Sequence, residues 1–189
     1  MDNYVTDKTF KGVDFSADAL ALGEYDSCTF SGCKIAGINL SGITFSECEF
    51  KDCDLSNSNI RATTFRDVIF SNCKLMGLRF DECDPFLLSF SFTDCILNFS
   101  SFFKLKIKGC KFIGCKLEQV DFSEANLQES VFINSNLEAA VFQKTDLQKA
   151  DFREAQNFSI DPTANRLARA RFSSQNIAGL LGSFNIIID

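Results

Sequence analysis

The sequence contains no histidine and no tryptophan, and only two of its 189 residues are proline. Without histidine there is no imidazole base for a hydrolytic triad and no mixed Cys/His zinc site. No GxSxG elbow, phosphate-cradling glycine loop or CxxC pair occurs. No stretch approaches the roughly 20 apolar residues that a membrane-spanning helix needs. The first residues, Met1 to Lys8, place no apolar run behind a basic head, so no secretory signal is expected and the cytoplasm is the default location. The charge balance, 19 basic against 25 acidic residues, excludes a generic polyanion binder. The expectation is therefore a protein without catalysis, metal or cofactor.

What is present in excess is phenylalanine, 22 residues, and cysteine, nine. From Phe10 every fifth residue is apolar, through Phe15, Leu20, Tyr25 and so on to Phe80. The register then slips by two within Asp81–Phe86 and resumes at Leu87, Phe92 and Leu97, running to Phe152. At 46% apolar content, 29 such positions without an exception have a chance probability on the order of 10⁻¹⁰. Neither a helix nor an ordinary strand has this period. The other slots are as regular. Two residues before the centre the side chain is mostly small: Cys28, Cys33, Cys48, Cys53, Ser58, Thr63, Cys73, Cys95, Ser100, Cys110, Cys115 and Ala125 among others. Two residues after it stand seven of the ten glycines, which suits a tight bend. The centre and the small slot thus point inward, and the slot after them takes a corner.

A bend every five residues implies a coil of four sides and about 20 residues. Every fourth centre, counted across the slip, gives the column Phe10, Phe30, Phe50, Phe70, Phe92, Phe112, Phe132 and Phe152, all phenylalanine. The next column is mostly leucine, a third is all phenylalanine from Phe80, and the fourth is aliphatic from Leu87. Like stacks on like because residue n+20 lies above residue n. Eight coils at about 4.8 Å per strand make a rod roughly 35–40 Å long. The cysteines read as small buried fillers. Stacked pairs such as Cys28 and Cys48 come within disulfide range, but parallel side-chain directions and a cytosolic setting argue against a bond.

This pattern, repeated over Lys8 to Glu154, resembles the pentapeptide-repeat family, whose members form right-handed quadrilateral β-helices. The fold expected is an all-β solenoid of about eight coils with a short C-terminal helix-plus-strand dimerisation module. Its parts are an N-terminal cap at 1–7, the β-helix at 8–156, and a capping and dimerisation module at 157–189. The slip reads as one lengthened corner rather than a domain boundary. It is either a plain bulge or a functional one, since Phe86, Leu88, Phe99 and Phe103 sit near it in outward or corner slots.

In the tail, Ser173 or Ser174 can cap a short helix running to about Gly182, and Phe184 to Ile188 read as a strand. The tail either caps the last coil or also joins two chains through Phe172, Ile177, Leu180, Leu181, Phe184, Ile186 and Ile188. Asp151-Phe152-Arg153, Ser159-Ile160-Asp161-Pro162, Asn165-Arg166, Arg171-Phe172-Ser173 and Gly179-Leu180-Leu181 resemble the C-terminal module of the quinolone-resistance (Qnr) type; the microcin B17 immunity protein is a similar relative. That resemblance implies a homodimer, and binding to DNA gyrase or topoisomerase IV that protects them from a drug or toxin by imitating DNA. It implies no direct contact with nucleic acid. The even register leaves no room for the two long projecting loops that many Qnr-type proteins carry. Residues 1–100 hold 15 acids against 8 bases, residues 101–189 hold 10 against 11. The candidate topoisomerase-facing surface is Glu47, Glu49, Asp52, Asp54, Asp67, Asp81, Glu82 and Asp84, with a solvated face as the alternative. The other reading of function is a scaffold for an unrelated protein partner.

Overall fold

An apolar centre every five residues with a bend in between keeps each strand short, and the strands are three or four residues long. In a computed structural model, which describes residues 3–17, 19–184 and 186, they build an all-β parallel solenoid with almost no helix. One side carries a seven-stranded sheet: Thr9–Lys11, Thr29–Ser31, Glu49–Lys51, Val68–Ser71, Phe90–Thr93, Lys111–Ile113 and Val131–Ile133. Bridges extend it to Asp151 and Arg171. The second side is a ladder of single bridges from Asp14 through Lys34, Asp54, Lys74, Ile96, Lys116 and Asn136 to Gln156. The third joins Asn39 to Asn59 and runs from Arg79 through Ser101 and Asp121 to Val141. The fourth is a four-stranded sheet of Asn3–Thr6, Gly23–Asp26, Thr44–Ser46 and Thr64–Arg66, continued by bridges at Lys106, Asn126, Asp146 and Arg166. The N-terminal segment is therefore a strand of the fourth side.

Phe30, Phe50, Phe70, Phe92, Phe112, Phe132 and Phe152 are fully buried, and Phe10 in the first coil is half-buried. Rings within this column stack at 4.6–5.4 Å, while the neighbouring column meets it edge-on, as between Phe102 and Phe112 at 5.8 Å and 89°. Both arrangements suit the ring quadrupole, adding about 0.5–1.5 kcal/mol per pair beyond the burial itself. The corner slot takes a left-handed backbone, at Gly12, Gly32, Gly37 and Gly42 and also at Glu47, Asp52, Asn57, Asp67 and Asn72. A non-glycine residue there pays a steric cost, softened where Asn or Asp stands.

The small inward slot does more than fill space. Its hydroxyl or thiol donates to a backbone carbonyl of the coil below: Ser58 to Ile35, Thr63 to Leu40, Cys53 to Phe30 and Cys95 to Phe70, at 2.6–3.4 Å. All nine cysteines are buried and unbonded to one another. Burial pushes the Cys48 and Cys115 thiols up to about 12, so neither is a nucleophile.

Two expectations need correcting. Strand pairing is offset by 20 residues below the slip, by 22 across it and by 20 above it, which keeps the columns aligned. Leu87, however, is not a core centre. It is 64% exposed with a φ of 55°, and Phe90 goes inward instead, with its ring 5.3 Å from Phe80 and 5.1 Å from Phe92. The extra residues push Leu87 out to the corner, and a side chain too large for the usual small slot fills the widened coil.

The second correction concerns the tail. Coil geometry runs beyond Gln156, because Asp146 bridges Arg166, Asp151 bridges Arg171, and Phe172 stacks on Phe152 at 5.3 Å. The expected helix is instead two 3₁₀ turns, Ile177–Leu180 and Gly182–Phe184. Gly179, a poor helix former, sits hard against Phe158, where a Cβ would lie 2.5 Å from the ring. Phe184 ends the second turn and Ile186 is irregular, while Asn185, Ile187 and Ile188 of the expected strand lie outside the described residues.

Candidate functional site

The eight acids singled out above do not form one patch. Four surround the seven-stranded sheet: Glu47 and Asp67 at the corner before it, Glu49 on it and Asp52 at the corner after it. Asp54 lies on the second side, between Lys34 and Lys74 in the ladder. Asp81 and Glu82 are across the molecule, both held by Arg79 at 2.7 and 3.8 Å. Burial pushes the Asp81 carboxyl up, but the Arg79 guanidinium outweighs this and holds it below the usual carboxylate range. Asp84 belongs to the slip, where its carboxylate accepts from the Phe86 amide at 2.9 Å.

The reading of single acids passes over two residues that complete the arrangement. Asp7 shares the corner of Glu47 and Asp67, and Asp94 shares the corner of Asp52. Their signal is the twenty-residue spacing of the corner slot. Two rows of carboxylates thus edge one face of the rod. None of Asp7, Glu47, Glu49, Asp52, Asp67 and Asp94 has a cation within 4.0 Å among the described residues. An open groove of 480 Å³ follows the second row past Asp52, Asp54 and Asp94, with Lys74 and Lys116 on its far lip.

At the C-terminal end the apolar residues divide. Phe172 and Leu180 pack on the core and so face inward in part. Ile177, Phe184 and Ile186 are 45%, 51% and 57% exposed, Leu181 is half-buried, and Ile188 lies outside the described residues. Two side-chain amides hold carbonyls of the last coils. The Asn176 side chain donates to the Phe152 and Ala155 carbonyls at 2.8 and 3.1 Å. That of Asn165 donates to the Phe142 carbonyl at 3.0 Å. Asn165 keeps the inward slot twenty residues after Thr145, which donates to the Phe122 carbonyl in the same way, whereas no period marks Asn176.

No helix among the described residues is long and apolar enough to cross a membrane. Residues 43–112 and 105–180 match the family described as "Pentapeptide repeat region". No curated protein matches the sequence. Two trypsin-treated variants of QnrB1, a plasmid-mediated fluoroquinolone resistance protein, are similar in fold. The first is 16% identical with a TM-score of 0.64, over 99% of this chain and 100% of that one. The second is 17% identical with a TM-score of 0.59, over 100% and 98%. HetL, a pentapeptide repeat protein involved in heterocyst differentiation regulation from the cyanobacterium Nostoc sp., is 17% identical over 89% of this chain and 84% of that one, with a TM-score of 0.48.

Proposed function

The chain belongs to the pentapeptide-repeat family, and on that premise we propose that it is a DNA-mimicking protein that binds a type II topoisomerase, DNA gyrase or topoisomerase IV, and protects it from a drug or toxin. The observation that carries this reading is the pair of unpaired carboxylate rows, Asp7, Glu47 and Asp67 on one edge and Asp52 and Asp94 on the other. A duplex also presents two rows of negative charge, about 3.4 Å apart along each strand. The rows here are sparser, since Ser27 and Asn72 occupy intervening corners. Fold likeness to QnrB1, named for fluoroquinolone resistance, agrees with the proposal.

The same reading includes a homodimer. A two-fold contact through Ile177, Leu181, Phe184 and Ile186 would cover apolar surface that the last coil leaves open. Two rods end to end would reach about 80 Å at about 4.8 Å per coil. The proposal also gives residues 157–189 a capping and dimerisation role, although their first part continues the coil to Arg171. A second reading, a scaffold for an unrelated protein, draws on the lysine-rich turn at residues 101–117, which breaks the acidic character of the rod.

The test is a supercoiling assay with gyrase, with and without a poison, at increasing protein. Protection is expected, weakened by Glu47→Lys with Asp67→Lys and by added salt. Full protection by that double variant would reduce the rows to a solvated face. Light scattering that finds a monomer at micromolar concentration would remove the dimer.

A further inference from the structure

The slip does something no other corner does. Between Asp84 and Ser89 the chain leaves the ladder and exposes two adjacent large apolar side chains, Phe86 at 63% and Leu87 at 64%. The excursion is not loose. Asp84 holds the Phe86 amide, the Ser89 hydroxyl donates to Asp67 at 2.8 Å, and Leu88 packs on the core. A tip fixed at both feet cannot fold its apolar residues back, and it loses little conformational freedom when it meets a partner.

The coil that follows the tip is rich in lysine. From Ser101 to Leu117 the sequence holds five lysines and no acid. Lys106 and Lys108 line a groove of 240 Å³ with Leu88 and Ser89. Lys111 lines the adjoining one with Ile69, itself 47% exposed. Arg66 lies under the Phe86 ring, 5.8 Å from its centroid, and its Nε is buried with no hydrogen-bond partner. Lys108 reaches Glu129 at 3.3 Å, whereas Lys106 and Lys111 have no carboxylate within 4.0 Å among the described residues. Asp67 and Asp84 at the foot of the tip are engaged by Ser89 and by the Phe86 amide.

We infer that this tip and its lysines form a second docking surface, of opposite polarity to the carboxylate rows, for a protein partner that presents an apolar pocket or stripe bordered by Asp and Glu. Charge complementarity selects the acidic border. Two neighbouring exposed apolar side chains, with Ile69 beside the adjoining groove, favour a protein over a nucleic acid, which would ask for a basic strip with stacking faces alone. The inference is separable from topoisomerase protection: the two surfaces share Asp67, which anchors the tip through Ser89, but the variants that test the tip touch none of the carboxylate rows.

The absence of tryptophan supplies a clean reporter, Phe86→Trp, whose emission comes from the tip alone. The probes are an amphipathic peptide of Glu with Leu and Phe, the same peptide with Lys for Glu, and a short DNA duplex. The acidic peptide is expected to shift the emission to the blue, with saturation and salt sensitivity. Its affinity should fall at least about tenfold with Leu87→Ser, or with Lys106→Glu and Lys108→Glu together, while the thermal melts stay cooperative. No blue shift with a folded reporter protein, or equal response to the Lys peptide, would overturn the inference. Tighter saturation by the duplex would overturn it in favour of nucleic acid.

Discussion

Exchanging the roles of Leu87 and Phe90 in the slip makes a decisive experiment. A strict five-residue register places Leu87 inside and leaves a small slot for residue 90. The structure has Phe90 only 7% exposed and within 5.1–6.5 Å of the rings of Phe65, Phe80, Phe92 and Phe102, while Leu87 faces solvent. Phe90→Ala removes a buried ring and leaves a cavity among aromatic neighbours, which costs about 3–5 kcal/mol. For a chain of this size that lowers Tm by about 6–20 °C. Leu87→Ala removes exposed surface and should stay within about 0.5 kcal/mol. Leu87→Gly should be neutral or stabilise by up to about 1 kcal/mol, because the corner backbone is left-handed at φ 55°. Differential scanning calorimetry on the three variants separates the cases. A Leu87→Ala protein that melts as early as Phe90→Ala would refute the inward placement of Phe90.

Three further outcomes are expected. Phe112→Asp should yield no soluble, cooperatively melting protein, because it buries an unpaired charge in the stacked column, whereas Cys110→Ala should cost only about 1 kcal/mol by the same melts. Asn176→Leu should destabilise by about 1–3 kcal/mol, since it strands the Ala155 carbonyl and leaves Phe152 with the Ala155 amide alone, and should raise amide exchange in the last coil; unchanged exchange there would deny the amide its capping role. Burial pushes the Asp146 carboxyl up, but donors from Gln128 and Gln148 and the Arg166 guanidinium at 3.0 Å together hold it below its ordinary value. The native state then binds this proton less readily than the unfolded chain. Its stabilisation is full above about pH 4 and is lost as pH falls further, so Asp146→Asn should flatten the decline of Tm below that pH.

The architecture could be read from the residues because its cause is local and repeated. Each five-residue unit states its own inside, outside and corner, and the run from Phe10 to Phe152 needs no long-range information. The slip was located but its packing was not, because periodicity cannot weigh Leu87 against Phe90 without the volume of the widened coil. The tail resisted for a different reason. Asn176 acts once, on carbonyls at the end of the stack, and a single use leaves no period. The surface was legible only in part. Charges at neighbouring positions look equivalent in the sequence, yet Asp52 stands free at a corner while Asp54 is flanked by lysines one step further round.

The crowding of rings around Phe90 also bears on how the rod yields to force. Elsewhere each coil leans only on its neighbours above and below, so a pull on either terminus should peel turns away one after another, each with a similar small resistance. At the slip, Phe90 joins Phe65 and Phe80 below to Phe92 and Phe102 above. Unravelling from either end must then break several aromatic contacts at once, and the extension trace should pause near the middle of the chain. The irregularity in the repeat would act as its rivet.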